Sequence, residues 1–414
     1  MTNRNALLNS AGEPQSLEIA RAPSRSERLR IAVVTETYPP ELNGVSLTVR
    51  RAVDFLSGRG HDVELVRPRQ RERDGQHAGV PEVLVRGVPL PFYPGMQFGL
   101  PAARQLQRRW HRCPPDVIHI APEGPLGWSA LQAALACAIP VTSDYRTQFH
   151  RYSTHYGVGW LQEVIDRYLR AFHNRAHATF VATEALREEL AKRGYRNCRT
   201  VGRGIDTALF NPGRRNIALR NQWGLDDSGL AFVHVGRLAP EKNLELAVRA
   251  FDDVRAVHQA SRMIWVGDGP LRARMQRAHR DHVFCGVATG EALAALYASA
   301  DVFLFPSLTE TFGNVTLEAL ASGLALIAFR YGAAGEHCRH GVHACLPRFN
   351  DEEAFVRTAV QLARAPAMLA RIRNAAPRAV ARLAWPTVLR EFEQELVSVA
   401  RNGTASLQRH YAAG

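Results

Sequence analysis

The sequence predicts an α/β protein of two Rossmann-like, doubly wound domains facing a central cleft. Three observations carry this. Short apolar runs alternate with amphipathic stretches along both halves of the 414 residues. The texture breaks at Arg203 to Arg215 (RGIDTALFNPGRR), where Gly204, Pro212 and Gly213 interrupt any apolar period. At about 150 residues per domain, the length suits two to three domains, each large enough for its own core.

Residues 1–28 are polar and lack the apolar segment of a secretory signal, so they are expected to form a disordered leader. The first domain, 29–204, opens with a strand at Leu29 to Val34. The loop Thr35 to Gly44, a helix through Leu56 and a strand at Val63 to Val66 complete a β-α-β start. Further strands are expected at Val83–Val88, Asp116–Ile120, Pro140–Ser143 and Ala178–Ala182, then a helix at Glu184–Lys192. The second domain, 205–384, repeats the alternation. Its strands are Leu230–Val235, Met263–Val266, Val283–Cys285, Val302–Phe305 and Ala325–Phe329, and a helix covers Asn243–Val257. Ligands bind at the C-terminal ends of parallel strands, so the βα loops of both halves should face one cleft.

Composition narrows the class. Apolar content of 46% and charged content of 22% are ordinary for a soluble globular protein. The six cysteines are scattered without a CxxC pair, which argues against a disulfide framework or a zinc site and for buried reduced thiols in the cytoplasm. No stretch approaches the roughly 18 apolar residues that cross a bilayer, so any membrane contact is peripheral. The net charge of +13 is uneven: residues 1–215 hold 30 basic and 20 acidic groups (+10), and residues 216–414 hold 22 and 19 (+3). The sequence has no nucleic-acid motif, so an anionic membrane or an anionic small substrate is the better partner for the basic half. Only two of the 52 basic residues are lysines, Lys192 and Lys242.

The segment Ser307 to Gly323 (SLTETFGNVTLEALASG) concentrates the chemistry. It follows the buried strand that Pro306 ends, and it places Glu310 and Glu318, with seven residues between them, around a Gly313–Asn314 turn at a helix start. Free N–H groups there suit phosphate, and carboxylates accept from sugar hydroxyls; together they point to a nucleotide sugar. Acids in a first helical turn also simply match the helix dipole, which explains one glutamate more easily than two. After the first strand of the second half, Arg237 and Lys242 put two cations near another helix start, where they would stabilise a departing diphosphate without a metal. A solvated surface loop is the plainer reading, and the rarity of lysine weighs against it. Gly44 opens the first helix of the first half and lets the backbone approach a phosphate, or serves as a plain turn. Gly267–Pro270 (GDGP) reads as a structural turn. The absence of an Asp-x-Asp pair removes support for a metal-chelated diphosphate, so the expectation is no metal and no cofactor beyond the donor substrate.

Taken in order, these segments resemble the retaining GT-B glycosyltransferases of family 4 over about residues 29–400. The hallmark is two glutamates separated by seven residues, matched by Glu310 and Glu318. Asn43-Gly44-Val45, Arg203-Gly204-Ile205-Asp206, Gly236-Arg237 with Glu241-Lys242-Asn243, Val266-Gly267-Asp268-Gly269, Ala300-Asp301 and Pro306-Ser307 support it. The resemblance implies that Glu310 and the backbone of Phe312, Gly313, Asn314 and Val315 hold the donor sugar, and that Glu318 binds the ribose. It implies that Arg237 and Lys242 hold the diphosphate, that Gly44 approaches it from the first domain, and that Val287 lies beside the base. It also implies front-face attack with retention, Glu310 stabilising rather than attacking. Residues 385–414 would contribute a helix crossing back to the first domain, with closure about Arg203 to Arg215 assembling the site.

Two departures stand out. Arg146 occupies the place where relatives carry a histidine that reaches the donor sugar; it cannot exchange protons at neutral pH but can bind a hydroxyl, a carboxylate or phosphate. His150 is a lesser candidate. Ala344 replaces a common glycine after His340-Gly341. The segment Tyr145 to Gly157 resembles lipid-glycosylating and mannosyltransferase members, which implies a UDP- or GDP-hexose donor and a lipid or glycan acceptor such as diacylglycerol. The helix Leu100 to Arg112 sets Leu100, Ala103, Leu106 and Trp110 against Arg104, Arg108, Arg109 and Arg112, an interfacial pattern or an ordinary sheet-packing helix. Location follows as cytoplasmic, peripheral on the inner face of the membrane. The alternatives are a nucleotide-sugar epimerase of the same fold, a transferase with a soluble or polysaccharide acceptor, and a non-enzymatic basic binding protein that needs neither Lys242 nor Glu310.

Overall fold

The computed structural model describes residues 28–39, 41, 44–70, 79–89, 97–146, 162–226, 228–310 and 312–412, with 162 and 404–412 as backbone alone. The leader at 1–27, Asn43, and residues 147–161 with His150 lie outside these.

The first domain carries strands β1 (Arg30–Val34), β2 (Asp62–Pro68), β3 (Glu82–Val85), β4 (Gly87–Pro89), β5 (Gln97–Gly99), β6 (Val117–Ile120), β7 (Val141–Asp144), β8 (Ala178–Val181) and β9 (Cys198–Thr200). Its helices are α1 (Gly44–Gly58), α2 (Ala103–Arg112), α3 (Pro125–Ala136), α4 (Gln162–His173) and α5 (Glu184–Lys192). Seven strands form a parallel sheet in the order β3-β2-β1-β6-β7-β8-β9. Both faces are covered, which is why its strands read as continuous apolar runs. Ile31 and Val33 pack toward α1 and the C-terminal helix, and Ala32 and Val34 toward α2 and α3.

The second domain carries β10 (Ala231–Val235), β11 (Arg262–Val266), β12 (Val283–Gly286), β13 (Val302–Phe305), β14 (Ala325–Ala328) and β15 (Ala344–Cys345). Its helices are α6 (Ile217–Gln222), α7 (Leu244–Val257), α8 (Arg272–Ala278), α9 (Gly290–Ser299), α10 (Asn314–Ala321), α11 (Gly332–His337), α12 (Glu352–Arg364) and α13 (Pro366–Val380), followed by α14 (Trp385–Ala412). Its parallel sheet has the order β12-β11-β10-β13-β14-β15. In each sheet the order reverses once, between β1 and β6 and between β10 and β13. Such switch points open the crevice in which doubly wound folds bind ligands.

Three expectations are corrected. The run Val83–Val88 is not one strand: Arg86 interrupts it, β3 joins the large sheet, and β4 pairs antiparallel with β5. The helix expected from Leu100 starts at Ala103; Leu106 and Trp110 are buried in the core, and Leu100 is exposed ahead of it. Its apolar face is therefore occupied by packing, and what it offers solvent is Arg104, Arg108, Arg109 and Arg112 along a shallow groove. The thiols are all free, but only Cys345 is fully buried, while Cys113 and Cys285 are exposed.

The chain crosses between the domains twice, side by side. Ile205 bridges Ala384, and the Ile205 N–H donates to the Leu383 carbonyl at 2.7 Å. Gly204 lies so close to Trp385 that a methyl there would sit 2.4 Å from the indole. Helix α14 then places Leu389, Phe392, Leu396 and Val399 in the core of the first sheet. Buried Glu393 on the same helix meets His61 Nε2 at 2.8 Å and Arg59 Nε at 3.1 Å. The Leu29 N–H donates to His61 Nδ1, so the proton resides on Nε2 and is donated to Glu393. Among the described residues, no helix is long and apolar enough to cross a membrane.

Candidate active site

The second domain's wall forms at the β10/β13 switch point. After β10 the chain makes a short 3-10 turn, Pro240–Lys242, which Asn243 ends in the left-handed region (φ 51°) before α7 begins. Asparagine tolerates that conformation. The turn directs Lys242 over the Phe305 ring, 5.7 Å from its centre, and onto Glu310 Oε1 in an ion pair. Ser307 Oγ donates to the same oxygen at 2.8 Å. Arg237, nearly half exposed, stands 3.8 Å from buried Glu241. The loop after β10 is tied to the loop after β13 by the Leu308 N–H, which donates to the Glu241 carbonyl at 3.3 Å.

Gly313 adopts φ 91° where α10 begins, a conformation that costs a residue with a Cβ. The carbonyl of buried Phe312 accepts from Ala333 N–H at 2.8 Å, fixing the turn against α11. Asn314 is exposed and Val315 half-buried on the first turn. Glu318 lies farther along α10 and takes the Tyr297 hydroxyl at 2.9 Å. Burial pushes Glu318 up to about 7, with the Tyr297 hydrogen bond working the other way. Val287 is 71% exposed just past β12.

On the first domain, Gly44 opens α1 opposite α10: a methyl there would lie 3.7 Å from Asn314 Nδ2. The helices α5 and α11 also meet across the cleft, the Glu184 N–H donating to Glu336 Oε1 at 3.3 Å. Between them a cavity of about 280 Å³ opens on Glu310, walled by Thr183 and Glu189 on one side and Arg330 and Gly332 on the other.

Arg146 stands apart from Lys242 and Glu310 in its described contacts. Its side chain is 6% exposed and ion-paired to Asp144 at the end of β7. His119 Nε2 approaches Asp144 at 3.5 Å. Burial works to raise Asp144, but Arg146, His119 and Arg203 hold it far below the ordinary carboxylate range. Burial, with Arg146 adding to it, lowers Arg203 to about 9.

The structure thus brings Lys242 and Glu310 together, brings Gly44 to Asn314, and gives Glu318 and Arg146 separate partners. Sequence reasoning missed Tyr297, His119 and Asp144 as members of these clusters, and with them Glu123, which follows β6 and is within electrostatic reach of Asp144 and Arg146. Glu123 had one signal, a charge just past a strand's apolar end; Tyr297 had none, since only packing brings α9 beside α10.

Residues 42–209 match the family model described as Glycosyltransferase Family 4, and residues 229–365 match that described as Glycosyl transferases group 1. A GDP-mannose-dependent alpha-mannosyltransferase of Corynebacterium glutamicum is 32% identical over 327 residues, which cover 77% of this chain and 76% of that protein. The alpha-monoglucosyldiacylglycerol synthase of Streptococcus pneumoniae is 27% identical over 326 residues, covering 72% and 71%. Among solved structures, the Anabaena protein Alr3699/HepE in complex with UDP superposes with a TM-score of 0.71 at 18% identity over 89% of this chain and 100% of that one, a likeness of fold.

Proposed function

Because the chain belongs to family 4 of the glycosyltransferases and carries their GT-B fold, it is a glycosyltransferase, and we propose that it transfers a hexose, with retention, from a nucleotide diphosphate sugar to a lipid hydroxyl. The observation that carries this reading is the meeting of Lys242, Ser307 and Glu310 at the second sheet's switch point, across the cleft from Gly44. GDP-mannose is the first donor to test and diacylglycerol the first acceptor, by likeness to the relatives named for them.

The residues suit the steps. Arg237, Lys242 and the first N–H groups of α10 face negative charge that grows on the leaving diphosphate, and preorganised donors in such a place lower the barrier with no metal or further cofactor. Glu310, oriented by Ser307 and Lys242, accepts from the sugar's hydroxyls and stabilises positive charge developing on its ring. The acceptor hydroxyl attacks from the face the diphosphate leaves, and a departing phosphate oxygen takes its proton. Glu318, held by Tyr297, accepts from the ribose. The acceptor reaches the cleft from a membrane surface, to which the arginine face of α2 gives an electrostatic approach.

The test is incubation with GDP-mannose or UDP-glucose, with and without anionic vesicles containing diacylglycerol. Release of nucleoside diphosphate only with vesicles, and an α-linked glycolipid by NMR, is the expected result. Glu310→Ala should reduce transfer by about 10²-fold or more; a variant with full activity would remove Glu310 from the site.

A further inference from the structure

Among the described residues, Glu123 is the one carboxylate whose two oxygens are both fully buried without a hydrogen bond from any other residue; its own N–H alone inclines toward it. It is 4% exposed. Glu36 is as deeply buried, yet it receives the Gly99 and Leu126 N–H groups, each at 2.7 Å. Buried polar groups are nearly always paired, and an unpartnered carboxylate is costly to enclose. A carboxylate held that way calls for a partner from outside the chain.

Its place is the C-terminal edge of the first sheet, the edge at which doubly wound folds bind ligands. Glu123 follows β6, which flanks the first sheet's switch point. Ile120 on β6 is in register with Ser143 on β7. Glu123 and Arg146 each stand three residues further on, so they occupy matching positions past the C-terminal ends of adjacent strands. Asp144 and Arg146 are the charges that act on Glu123. Arg146 pairs with Asp144, and its Nε has no hydrogen-bond partner among the described residues. The backbone of Glu123 is anchored by the Tyr168 hydroxyl, which donates to its carbonyl at 2.9 Å.

An ionised carboxylate only accepts, so the partner must donate. Arg146 close by and Arg203 beside Arg146 disfavour a cation, which leaves a neutral hydroxyl-bearing group. We propose that Glu123 is a substrate-binding residue of this transferase, accepting hydrogen bonds from sugar or acceptor hydroxyls while Arg146 Nε donates to the same molecule. Burial foremost, opposed by its own backbone N–H and by Arg146 and reinforced by Asp144, pushes Glu123 up to about 7, and a hydroxyl can pair with the group in either protonation state.

This rests on the glycosyltransferase reading, and the experiment separates the two. The full chain and its Glu123→Gln and Glu123→Ala variants are titrated calorimetrically with GDP-mannose, GDP, UDP-glucose and UDP, and transfer to anionic vesicles containing diacylglycerol is measured. If the hydroxyls belong to the transferred sugar, both variants bind the sugar nucleotide about tenfold or more weakly and the bare nucleotide as before. If they belong to the acceptor, donor affinity holds and the KM for vesicle lipid rises about tenfold at little-changed kcat. In either case Glu123→Gln keeps or raises the thermal midpoint at pH 8, because an unpartnered buried charge has been removed. Unchanged donor affinity together with unchanged KM, or unchanged donor affinity when the wild type transfers nothing to those vesicles, overturns the assignment. So does a fall in thermal midpoint with all ligands weakened alike, which marks a structural carboxylate. A wild-type chain that binds neither sugar nucleotide fails the glycosyltransferase reading itself and Glu123 with it.

Discussion

Lys242 pairs with Glu310 in the structure, and in the reaction proposed above a diphosphate would compete for the same ammonium. Its removal would then take a cation from the phosphates and leave Glu310 without that counter-charge. Lys242→Ala should reduce kcat/KM by about 10²–10³-fold. Lys242→Arg should restore little, because a forked guanidinium does not replace a compact charge seated over Phe305. Steady-state kinetics on both variants check this. Tyr297 acts through another residue: its hydroxyl fixes Glu318 Oε2 and eases the burial that raises that carboxyl. Tyr297→Phe should raise donor KM by roughly three- to tenfold with kcat nearly unchanged. The pH below which donor binding weakens should move upward from about 7, because the hydrogen bond that favours the ionised form is gone.

At the scale of elements, the sheets and their connections are held by buried charge as well as by apolar packing. Asp301, at the start of β13, takes Arg215 and Arg220 at 2.9 Å and Arg373 at 2.8 Å. It thereby joins the linker, α6 and α13 to one strand. Asp301→Asn leaves three guanidinium groups short of their counter-charge and should destabilise the fold by about 3–5 kcal/mol, measured by denaturant unfolding. The Ala300–Asp301 motif thus serves architecture, a role its sequence alone does not separate from catalysis. The strands were legible because both sheet faces are buried, so Ala231–Val235 and Val302–Phe305 read as unbroken apolar runs. Less legible were β9, three residues of mixed burial, and the β4/β5 hairpin, whose pairing spans a gap in the pattern. Glu310 and Glu318 were visible because one local segment carries both. Glu123 and Arg146 become neighbours only when β6 and β7 pair.

For the whole molecule, two sets of buried groups pull stability in opposite directions with pH. Burial pushes Glu36, Glu123 and Glu318 up to about 7, so their contribution is full below the unfolded carboxylate pKa and is lost as pH rises through 7. Burial lowers His234 and His282 to about 4 and His173 to about 3, so their contribution is present above the unfolded histidine pKa and is lost as pH falls. The carboxyl loss runs from about pH 4.5 to 7 and the histidine gain from about pH 4 to 6.5, so the thermal midpoint should change little between about pH 4.5 and 6.5, fall slightly toward pH 7 and level off above it. Glu123→Gln or Glu318→Gln removes one carboxyl from that balance, so the midpoint relative to the wild type should rise with pH between about 4.5 and 7, as thermal melts from pH 4 to 8.5 would record. The two domains are also unequal in how they are assembled from the chain. The second is built from one continuous stretch, whereas the first borrows Phe392 and Leu396 from α14. On a translating ribosome the half made first must wait for the half made last: the second domain can close as soon as it emerges, and the first sheet keeps an uncovered apolar face until the final helix arrives.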